Sequence, residues 1–335
     1  MYKKVNTSAV ILSSAVIIFC AMIAVFPGAA VTSAKSGLLL WFNNVLPSLL
    51  PFIIGINLLI KLGALNMFGK VLSPVMMPLF KVSGIGGFAL IAGMISGYPM
   101  GANVVSSLRK DNLLLKSEAQ RLIGFSNNSG PLFIIGAVGI GMFGSAIAGY
   151  FILSAHYLSA IISGILHRFY KPGSQAHIQI RHTAKINRQA YPFLTSLSES
   201  VKSAMETILM IGGFIILFSV LSALLNETGV IVYIAELLSY FGQFTDLSTE
   251  AISGVLTGII EITNGASAVA SSSETIHALL AVTGVISFGG FSIHAQAAGF
   301  IKETDLSFAS YILSKIIHAI LSVAIGIMIL PFFNI

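Results

Sequence analysis

The stretch GMISGYPMGANVVSSLRKDNLLLKSEAQRLIGFSNNSGP, residues 93–131, decides the fold of this chain. It begins as an apolar segment, is interrupted at GYPMG (97–101), becomes polar at RKD (109–111), and is interrupted again at SNNSGP (126–131). Within a lipid bilayer every backbone N–H and C=O group must be satisfied internally, so irregular backbone survives only beside protein or a water-filled cavity. The two interruptions therefore predict a hairpin tip and an unwound helix that meet at a binding site, as broken helices do in secondary transporters.

The composition indicates an integral membrane protein. Of the 335 residues 56% are hydrophobic and 9% are charged, whereas soluble domains carry about 25% charged residues. The net charge of +6 lies in short loops, where the positive-inside rule accounts for it, so we expect a lipid bilayer and not nucleic acid as the partner. Cys20 is the single cysteine, and the sequence has no phosphate-binding loop, zinc-binding His pair or nucleophile elbow. We expect neither an enzyme nor a cofactor or metal.

The N-terminal segment, residues 1–34, is predicted to be a transmembrane helix. Lys3 and Lys4 precede an apolar run over residues 9–26, which ends at Pro27 and Gly28. These flanks and the sequence TSA at 32–34 resemble a cleaved signal peptide, but the apolar run exceeds the roughly 7–15 residues of a signal. We expect the helix to be retained.

Two segments of similar order follow, on either side of a basic linker at residues 167–202. The first segment, 35–166, has apolar runs at 38–60, 83–108, 122–143 and 145–166 and an interfacial type of helix at 64–80. The second segment, 203–335, has apolar runs at 204–225, 251–269, 278–300 and 307–330 and an interfacial type of helix at 230–241. The second segment is interrupted at EITNG (261–265) and SFGGFSIH (287–294).

An internal duplication accounts for the repeated order. A shift of 160 residues pairs Gly124 with Gly284 and Gly130 with Gly290, and a shift of 161 pairs Asn103 with Asn264. The alternative is chance coincidence among 32 glycines. We favour duplication, because both interruptions of the first segment fall on both interruptions of the second.

Charge predicts how the two repeats are oriented. In the first repeat the loops at 61–81 and 109–121 are net positive, which places them in the cytoplasm together with the N-terminus and the basic linker. The corresponding loops of the second repeat are acidic and are predicted to be external; they contain Glu227, Glu236, Asp246, Glu250 and Glu274. Three crossings and one re-entrant hairpin per repeat then require the second repeat to be inverted. We expect an all-α polytopic protein of the cell membrane, with two inverted repeats that each contain transmembrane helices, one re-entrant hairpin and one unwound helix.

The candidate substrate-binding residues are polar side chains at or beside the four interruptions. They are Tyr98, Asn103, Ser126, Asn127, Asn128 and Ser129 from the first repeat, and Glu261, Thr263, Asn264, His294 and Gln296 from the second. If the symmetry holds, all of them converge where half-helix N-termini offer N–H groups to anions and unwound carbonyls can hold a cation.

Glu261 is the strongest single candidate for a functional residue. It follows the apolar run 255–260, and an ionisable residue at membrane depth is a functional hypothesis by default. It is predicted to contact substrate, to take a coupling proton or to help bind Na⁺; the alternative is a hairpin tip exposed to water. His294 is either a second titratable group or a structural hydrogen-bond partner.

Other polar residues are predicted to have structural roles. His156 and His318 are predicted to be packing or interface residues, and Arg109 and Lys110 are predicted to anchor the cytoplasmic interface. Asn is a poor helix former, so Asn127 and Asn128 could serve to unwind the helix, a role that is compatible with ligand contact.

Several sequence blocks together resemble a known family. They are SGYPMGA (96–102), LRK (108–110), KSEAQRL (116–122), FSNNSGPLFIIGAVG (125–139), IIEITNGA (259–266) and FGGFSIHAQ (288–296). As a set they resemble the YlbJ family of sporulation integral membrane proteins, in the broader group that carries the nucleoside-recognition gate domain. Gate-domain proteins in turn resemble concentrative nucleoside transporters, whose substrate site is formed by two re-entrant hairpins and two unwound helices.

The resemblance implies hairpin tips at 97–101 and 261–265 and unwound helices at 126–131 and 288–296. It also implies a protein of spore-forming bacteria that moves dipicolinate into the developing spore. One feature departs from this expectation: neither tip and neither break contains a basic residue, although a dianion would favour Arg or Lys. Helix N-termini and Asn, Ser and His donors would have to suffice.

The leading hypothesis is a secondary transporter of a small polar metabolite, with Na⁺ or H⁺ as possible coupling ion and Glu261 as the coupling residue. One alternative is a nucleoside transporter. Another is a non-transporting scaffold or a subunit of a spore-assembly or export complex, with other copies of the chain or other sporulation membrane proteins as partners. An intramembrane enzyme would need a stronger nucleophile–base pair than Ser292 and His294 provide.

Overall fold

The computed structural model describes residues 7–170, 193–241, 247–272 and 276–335. Within these ranges the chain is helical and contains no strand, which confirms the predicted all-α class. Most of the predicted basic linker, together with Asp246 and Glu274 of the predicted acidic loops, lies outside the described residues.

The helices before the linker form the first half of the chain. They are α1 (Thr7–Val25), α2 (Pro27–Leu40), the π-helical turn π1 (Trp41–Val45), α3 (Leu46–Lys61), α4 (Leu65–Phe80), α5 (Gly84–Ser96), α6 (Met100–Lys110), α7 (Lys116–Ser126), the π-helix π2 (Leu132–Met142) and α8 (Ala146–His167).

The helices after the linker form the second half. They are α9 (Phe193–Glu227), α10 (Val230–Phe241), α11 (Thr249–Ile260), α12 (Ile262–Ser272), α13 (Ile276–Phe288), α14 (Gly290–Ile301) and α15 (Phe308–Ile329), and a short 3₁₀ turn (Leu330–Phe332) follows α15. The order α5–α6–α7–π2–α8 is therefore matched by α11–α12–α13–α14–α15. The inverted relation between the two halves stays a prediction.

Five helical stretches of the described chain are long and apolar enough to cross a membrane. They are Pro27–Lys61, Ala146–His167, Phe193–Glu227, Ile276–Ile301 and Phe308–Phe332. The protein is therefore a multi-pass membrane protein. Helix α10 has 12 residues and is about 18 Å long at 1.5 Å per residue, which is too short for a bilayer core about 30 Å thick.

The first long stretch, Pro27–Lys61, packs along α9. Trp41 Nε1 donates to the carbonyl oxygen of Ile208 at 3.0 Å, and a Cβ at Gly212 would lie 2.7 Å from the Trp41 ring. The absence of a side chain at Gly212 thus lets the indole lie flat against the α9 backbone. Helix α2 crosses the predicted boundary at 34/35, and α9 crosses the predicted boundary at 202/203.

A bent helix pair precedes the first hairpin tip. Helix α4 and helix α5 are inclined by 88°, with Lys81 in a left-handed conformation (φ 52°) between them. This geometry is consistent with a re-entrant hairpin. Helix α5 then meets α6 and α7 closely, because a Cβ at Gly93 or Gly101 would clash with the carbonyl oxygen of Ser126.

The second hairpin is also packed through glycines. A Cβ at Gly265 of α12 would clash with the backbone of Gly258 in α11, and a Cβ at Gly254 would lie 2.8 Å from the nitrogen of Val269. In both hairpins the glycines therefore let two backbones approach more closely than a side chain would permit. The largest apolar core joins α3–α7 to α9 and α14, and a second core joins π2 and α8 to α12 and α13.

Candidate functional site

The first helix break is formed by the four residues Asn127–Gly130, which separate α7 from π2. It lies against the first hairpin tip, since a Cβ at Gly97 would be 2.8 Å from the nitrogen of Gly130. This tip is Gly97–Pro99, shorter than the predicted 97–101, because α6 already begins at Met100. The tip needs glycine at this position, where φ is +86°. The structure thus brings the first tip and the first break together.

Asn127 is the most connected side chain of the first break. Its Oδ1 accepts from the Ala102 N–H at 3.3 Å, and its Nδ2 donates to Tyr311 Oη at 2.9 Å. Asn128 turns back on its own helix, where Nδ2 donates to the carbonyl oxygen of Phe125 at 2.8 Å. Both side chains are fully buried. They hold the break to α6, α7 and α15, as the unwinding role predicts.

Lys315 of α15 is a basic residue at this site that was not among the predicted site residues. Its Nζ donates to the carbonyl oxygen of Asn127 at 2.9 Å and to Tyr98 Oη at 3.0 Å, and the side chain is 0% exposed. The tips and breaks themselves contain no basic residue, but α15 supplies one to the first tip and the first break. A single Lys inside the apolar run 307–330 was the available signal, because ionisable residues at membrane depth are rare.

His156 and His318 also belong to the site, although packing roles were predicted for them. His156 Nε2 accepts from the Ser129 N–H at 3.0 Å, so Nδ1 carries the proton and donates to Ser287 Oγ at 2.7 Å. His318 Nε2 lies 3.0 Å from the carbonyl oxygen of His156 and donates to it, while Nδ1 accepts from Lys315 Nζ at 3.0 Å. The two imidazoles connect the first break to α13 and α15.

The second break is much shorter than predicted, and the prediction of an unwound segment at 288–296 is wrong. Only Gly289 separates α13 from α14, because Gly289 and Gly290 take φ values of +100° and +71° and turn the chain between them. His294 and Gln296 lie within α14. His294 Nδ1 is 3.3 Å from Tyr311 Oη, so the start of α14 contacts the same tyrosine as Asn127.

The second hairpin tip is likewise a single residue, Glu261, and the predicted tip 261–265 is too long. The Glu261 carboxylate accepts from the Asn264 N–H at 2.8 Å and from Thr263. The carboxylate therefore caps the N-terminus of α12, where a negative charge is favourable. Glu261 is buried, Thr263 is half-buried and Asn264 is exposed. The three residues do not form the same kind of buried cluster as Asn127, Tyr311 and Lys315.

Tyr98 connects the first tip to the second break. Its Oη donates to the carbonyl oxygen of Ile286 at 3.0 Å while it accepts from Lys315. A Cβ at Gly289 would lie 3.4 Å from the Tyr98 ring. Asn103, by contrast, lines a separate cavity of about 400 Å³ beside Ser106 and α9.

Three buried polar atoms at the site have no hydrogen-bond partner in the described part of the protein. They are Ser126 Oγ, Asn128 Oδ1 and His294 Nε2. Buried polar groups are normally paired with protein or water, so atoms of this kind are candidates to contact a ligand or bound water.

Two comparisons with known proteins show the family of this chain. Residues 42–157 match the family model described as "Gate: Nucleoside recognition". The chain is also 36% identical over 348 aligned residues to the sporulation integral membrane protein YlbJ of Bacillus subtilis (strain 168), with 98% of this chain and 83% of the relative covered. The chain belongs to the YlbJ family. No solved structure matches it.

The matched gate region of this YlbJ-family protein contains the first tip, the first break and His156. Lys315 lies outside that region and bonds to the first break from the other half of the chain, and His318, which also lies outside it, bonds to Lys315 and to the carbonyl oxygen of His156. The buried cluster is therefore built from both halves.

Ion pairs join the two halves at one end of the molecule. Arg109, at the end of α6, forms a bidentate pair with Asp305, with Nε–Oδ1 and Nη2–Oδ2 distances of 2.9 and 3.0 Å. Lys110 Nζ pairs with Glu303 at 2.7 Å. The hydrogen bond from Arg109 lowers the pKa of the Asp305 carboxyl, and the same bond raises the pKa of Arg109. Arg109 and Lys110 thus attach the first hairpin to the loop between α14 and α15.

Proposed function

We propose that this protein is a secondary transporter of a small polar metabolite and that its substrate site lies where the first hairpin tip, the two helix breaks and α15 meet. The observation that supports this most directly is that residues from both halves form a buried polar cluster where the helices are interrupted. A scaffold embedded in lipid has no need of interrupted helices, because each interruption leaves backbone groups that must be satisfied. Transporters use such interruptions to bind substrate.

Half-helix N-termini would supply polar contacts to substrate. Helices α6, π2 and α14 each begin directly after an interruption, so their first N–H groups are free of intrahelical partners, whereas the N-terminus of α12 is capped by Glu261. Helix N-termini favour anions. The unpaired Ser126 Oγ, Asn128 Oδ1 and His294 Nε2 would add side-chain contacts.

The substrate class we propose is a small carboxylate, with dipicolinate as the first compound to test. A positive charge at Lys315, without a carboxylate within ion-pair distance in the described part of the chain, favours an anion over a neutral nucleoside. The name of the relative connects that protein to sporulation. Nucleosides remain the alternative substrate, which the gate-domain match suggests.

Alternating access would use the hairpins as gates. The first hairpin would close the side of the basic linker, which the charge pattern assigns to the cytoplasm, and the second would close the opposite side of the cell membrane. Glu261 would supply coupling by taking a proton as substrate binds, and imposed ion gradients would test this role.

Uptake into proteoliposomes tests the proposal. The substrates are dipicolinate, other small carboxylates and nucleosides, under imposed pH and Na⁺ gradients. The variants are Glu261→Gln and Asn128→Ala, with the exposed residues Glu227 and Asn43 changed in the same way as matched controls. Each site variant is expected to lower uptake at least about tenfold, whereas the controls retain it.

The outcomes separate the candidate functions. Saturable uptake of carboxylates, lost in the folded site variants, supports the proposed transporter. Uptake of nucleosides instead would change the substrate class and keep the site. No uptake of any compound by folded wild-type protein would overturn the transport proposal and favour a scaffold or a subunit of a larger sporulation complex.

A further inference from the structure

The ammonium of Lys315 is surrounded by three hydrogen-bond acceptors. They are the carbonyl oxygen of Asn127 at 2.9 Å, Tyr98 Oη at 3.0 Å and His318 Nδ1 at 3.0 Å. An ammonium has three N–H groups and no acceptor. The number of donors on a charged Lys315 therefore equals the number of acceptors around it.

The direction of each neighbouring hydrogen bond shows that all three groups accept. Tyr98 Oη donates its own hydrogen to the carbonyl oxygen of Ile286. The proton of His318 is on Nε2, which donates to the carbonyl oxygen of His156. A carbonyl oxygen can only accept. A neutral amine has two N–H groups and would leave one acceptor without a hydrogen, so the site is built for the charged form.

The other titratable groups around Lys315 are two tyrosines and three histidines. Tyr98 comes from the first tip, His156 from α8, His294 from α14, and Tyr311 and His318 from α15 itself. His156 and His318 each use one ring nitrogen as an acceptor, so neither carries a positive charge. In the described part of the chain no carboxylate lies within 4.0 Å of Nζ. Lys315 is therefore the cation of this cluster.

Unwound backbone carbonyls coordinate the coupling Na⁺ in transporters with discontinuous helices. The first break offers such a carbonyl, that of Asn127, and the Tyr98 hydroxyl oxygen faces the same Nζ. Here both oxygens are already occupied by Nζ. The side chain spans from α15 to the first tip and the first break, so one charge connects three elements of both halves.

We propose that the Lys315 ammonium is a cation built into the chain, which occupies the place of a coupling Na⁺ at the first helix break and makes the protein independent of Na⁺. The consequence for transport rests on the proposed function. The occupancy of the cation position by Lys315 does not rest on the proposed function and can be measured without a substrate.

Thermal unfolding of the purified full-length protein tests the cation position. Lys315→Ala removes the ammonium and leaves a space beside three unpaired acceptors, which a small cation can enter. The probes are methylammonium chloride and sodium chloride, with N-methyl-D-glucamine chloride as a cation too large to enter. Lys302→Ala is the matched control, because Lys302 is an exposed lysine at the end of α14.

The unfolding temperature of Lys315→Ala is expected to rise by about 3–5 °C in methylammonium relative to N-methyl-D-glucamine, as binding to the folded state alone predicts. Wild type and Lys302→Ala should not respond to methylammonium or to Na⁺. A folded Lys315→Ala protein that ignores methylammonium would overturn the proposal. If that variant does not fold, the unfolding temperature of wild type is compared in sodium chloride and in N-methyl-D-glucamine chloride. A higher temperature in sodium chloride overturns the inference, and equal temperatures support it.

Uptake adds a result that a purely structural lysine would not give. Wild-type uptake should be unchanged when Na⁺ is replaced by N-methyl-D-glucamine, while uptake by Lys315→Ala should fall at least about tenfold and recover in methylammonium. Uptake by wild type that requires Na⁺ would contradict the inference while leaving the transporter proposal intact. Absence of all uptake, combined with the predicted unfolding data, would overturn the transporter proposal and support the built-in cation.

Discussion

The two helix breaks differ in length and in how they are held. The first leaves four residues, Asn127–Gly130, outside helical structure, and side chains from α8 and α15 bond to it. The second consists of Gly289 alone, and its neighbour Ser287 bonds to His156. Two interruptions at corresponding places in the sequence thus have different physical bases.

The difference follows from the number of backbone groups that each break exposes. Four non-helical residues leave several N–H and C=O groups to be satisfied away from water, so Lys315 donates to the carbonyl oxygen of Asn127 and His156 accepts from the Ser129 N–H. One glycine with φ of +100° redirects the chain with little loss of helical hydrogen bonds. The first break is stabilised by side chains from other helices, whereas the second is a turn of the backbone at glycine.

The largest expected effect comes from the glycine that lets α5 approach the first break. Gly93→Ala should destabilise the protein by at least about 4 kcal/mol or prevent folding, because the new Cβ would clash with the carbonyl oxygen of Ser126. Thermal unfolding in detergent measures this.

Gly213→Ala is the matched control for that substitution. Gly213 lies on the exposed side of α9 with no atom within 4 Å of the added Cβ, so alanine should stabilise the helix by about 0.5–1 kcal/mol. If Gly93→Ala behaved like Gly213→Ala, the close approach of α5 to the first break would be refuted.

The next effect compares one side chain from each break. Asn127→Ala leaves the Ala102 N–H and Tyr311 Oη without their partner and should cost about 2–4 kcal/mol. Ser287→Ala removes one acceptor from His156 and should cost about 1–2 kcal/mol. Unfolding free energies of both variants, measured under the same conditions, test the order. Equal costs, or a larger cost for Ser287→Ala, would contradict the view that the first break depends more on its side chains.

The sequence predicted where the chain is interrupted, because glycine and asparagine clusters inside apolar runs are visible without any long-range information. It did not predict the length of the second interruption. The interruption read at 287–294 and the family resemblance implied an unwound segment at 288–296, but helical hydrogen bonds resume at Gly290 once the two glycines have turned the chain. Local composition does not show how quickly a helix restarts.

Lys315 escaped prediction for a different reason. Lys315 is distant in sequence from Tyr98 and Asn127, and only the tertiary fold brings its Nζ to them. Glu261, by contrast, was found from its local sequence, as an ionisable residue at an interruption. The structure adds that its carboxylate caps α12. Glu261 as a coupling residue stays a prediction.

Gly289→Ala tests the backbone character of the second break. Alanine at a φ of +100° is strained and should cost about 1–2 kcal/mol. Gly144→Ala is a suitable comparison, since Gly144 has a φ of +64° and no atom within 4 Å of an added Cβ, so its cost reflects the backbone alone. Unfolding temperatures of the two variants measure the difference. An unaffected Gly289→Ala protein would show that the second break does not need glycine.

The smallest effect concerns the ion pair between the first hairpin and the loop that follows α14. Asp305→Asn should lower stability by no more than about 1 kcal/mol at neutral pH, because the pair is partly exposed to solvent. Arg109 lowers the pKa of Asp305 in the folded state, so the stabilisation is complete above the ordinary Asp pKa of about 3.9 and is lost as the pH falls through the lower folded value. The unfolding temperatures of wild type and Asp305→Asn should therefore converge in acid, whereas the exposed control Glu227→Gln should match wild type at neutral pH. A difference between wild type and Asp305→Asn that does not change with pH would mean that the Asp305 charge does not hold the hairpin to the α14–α15 loop.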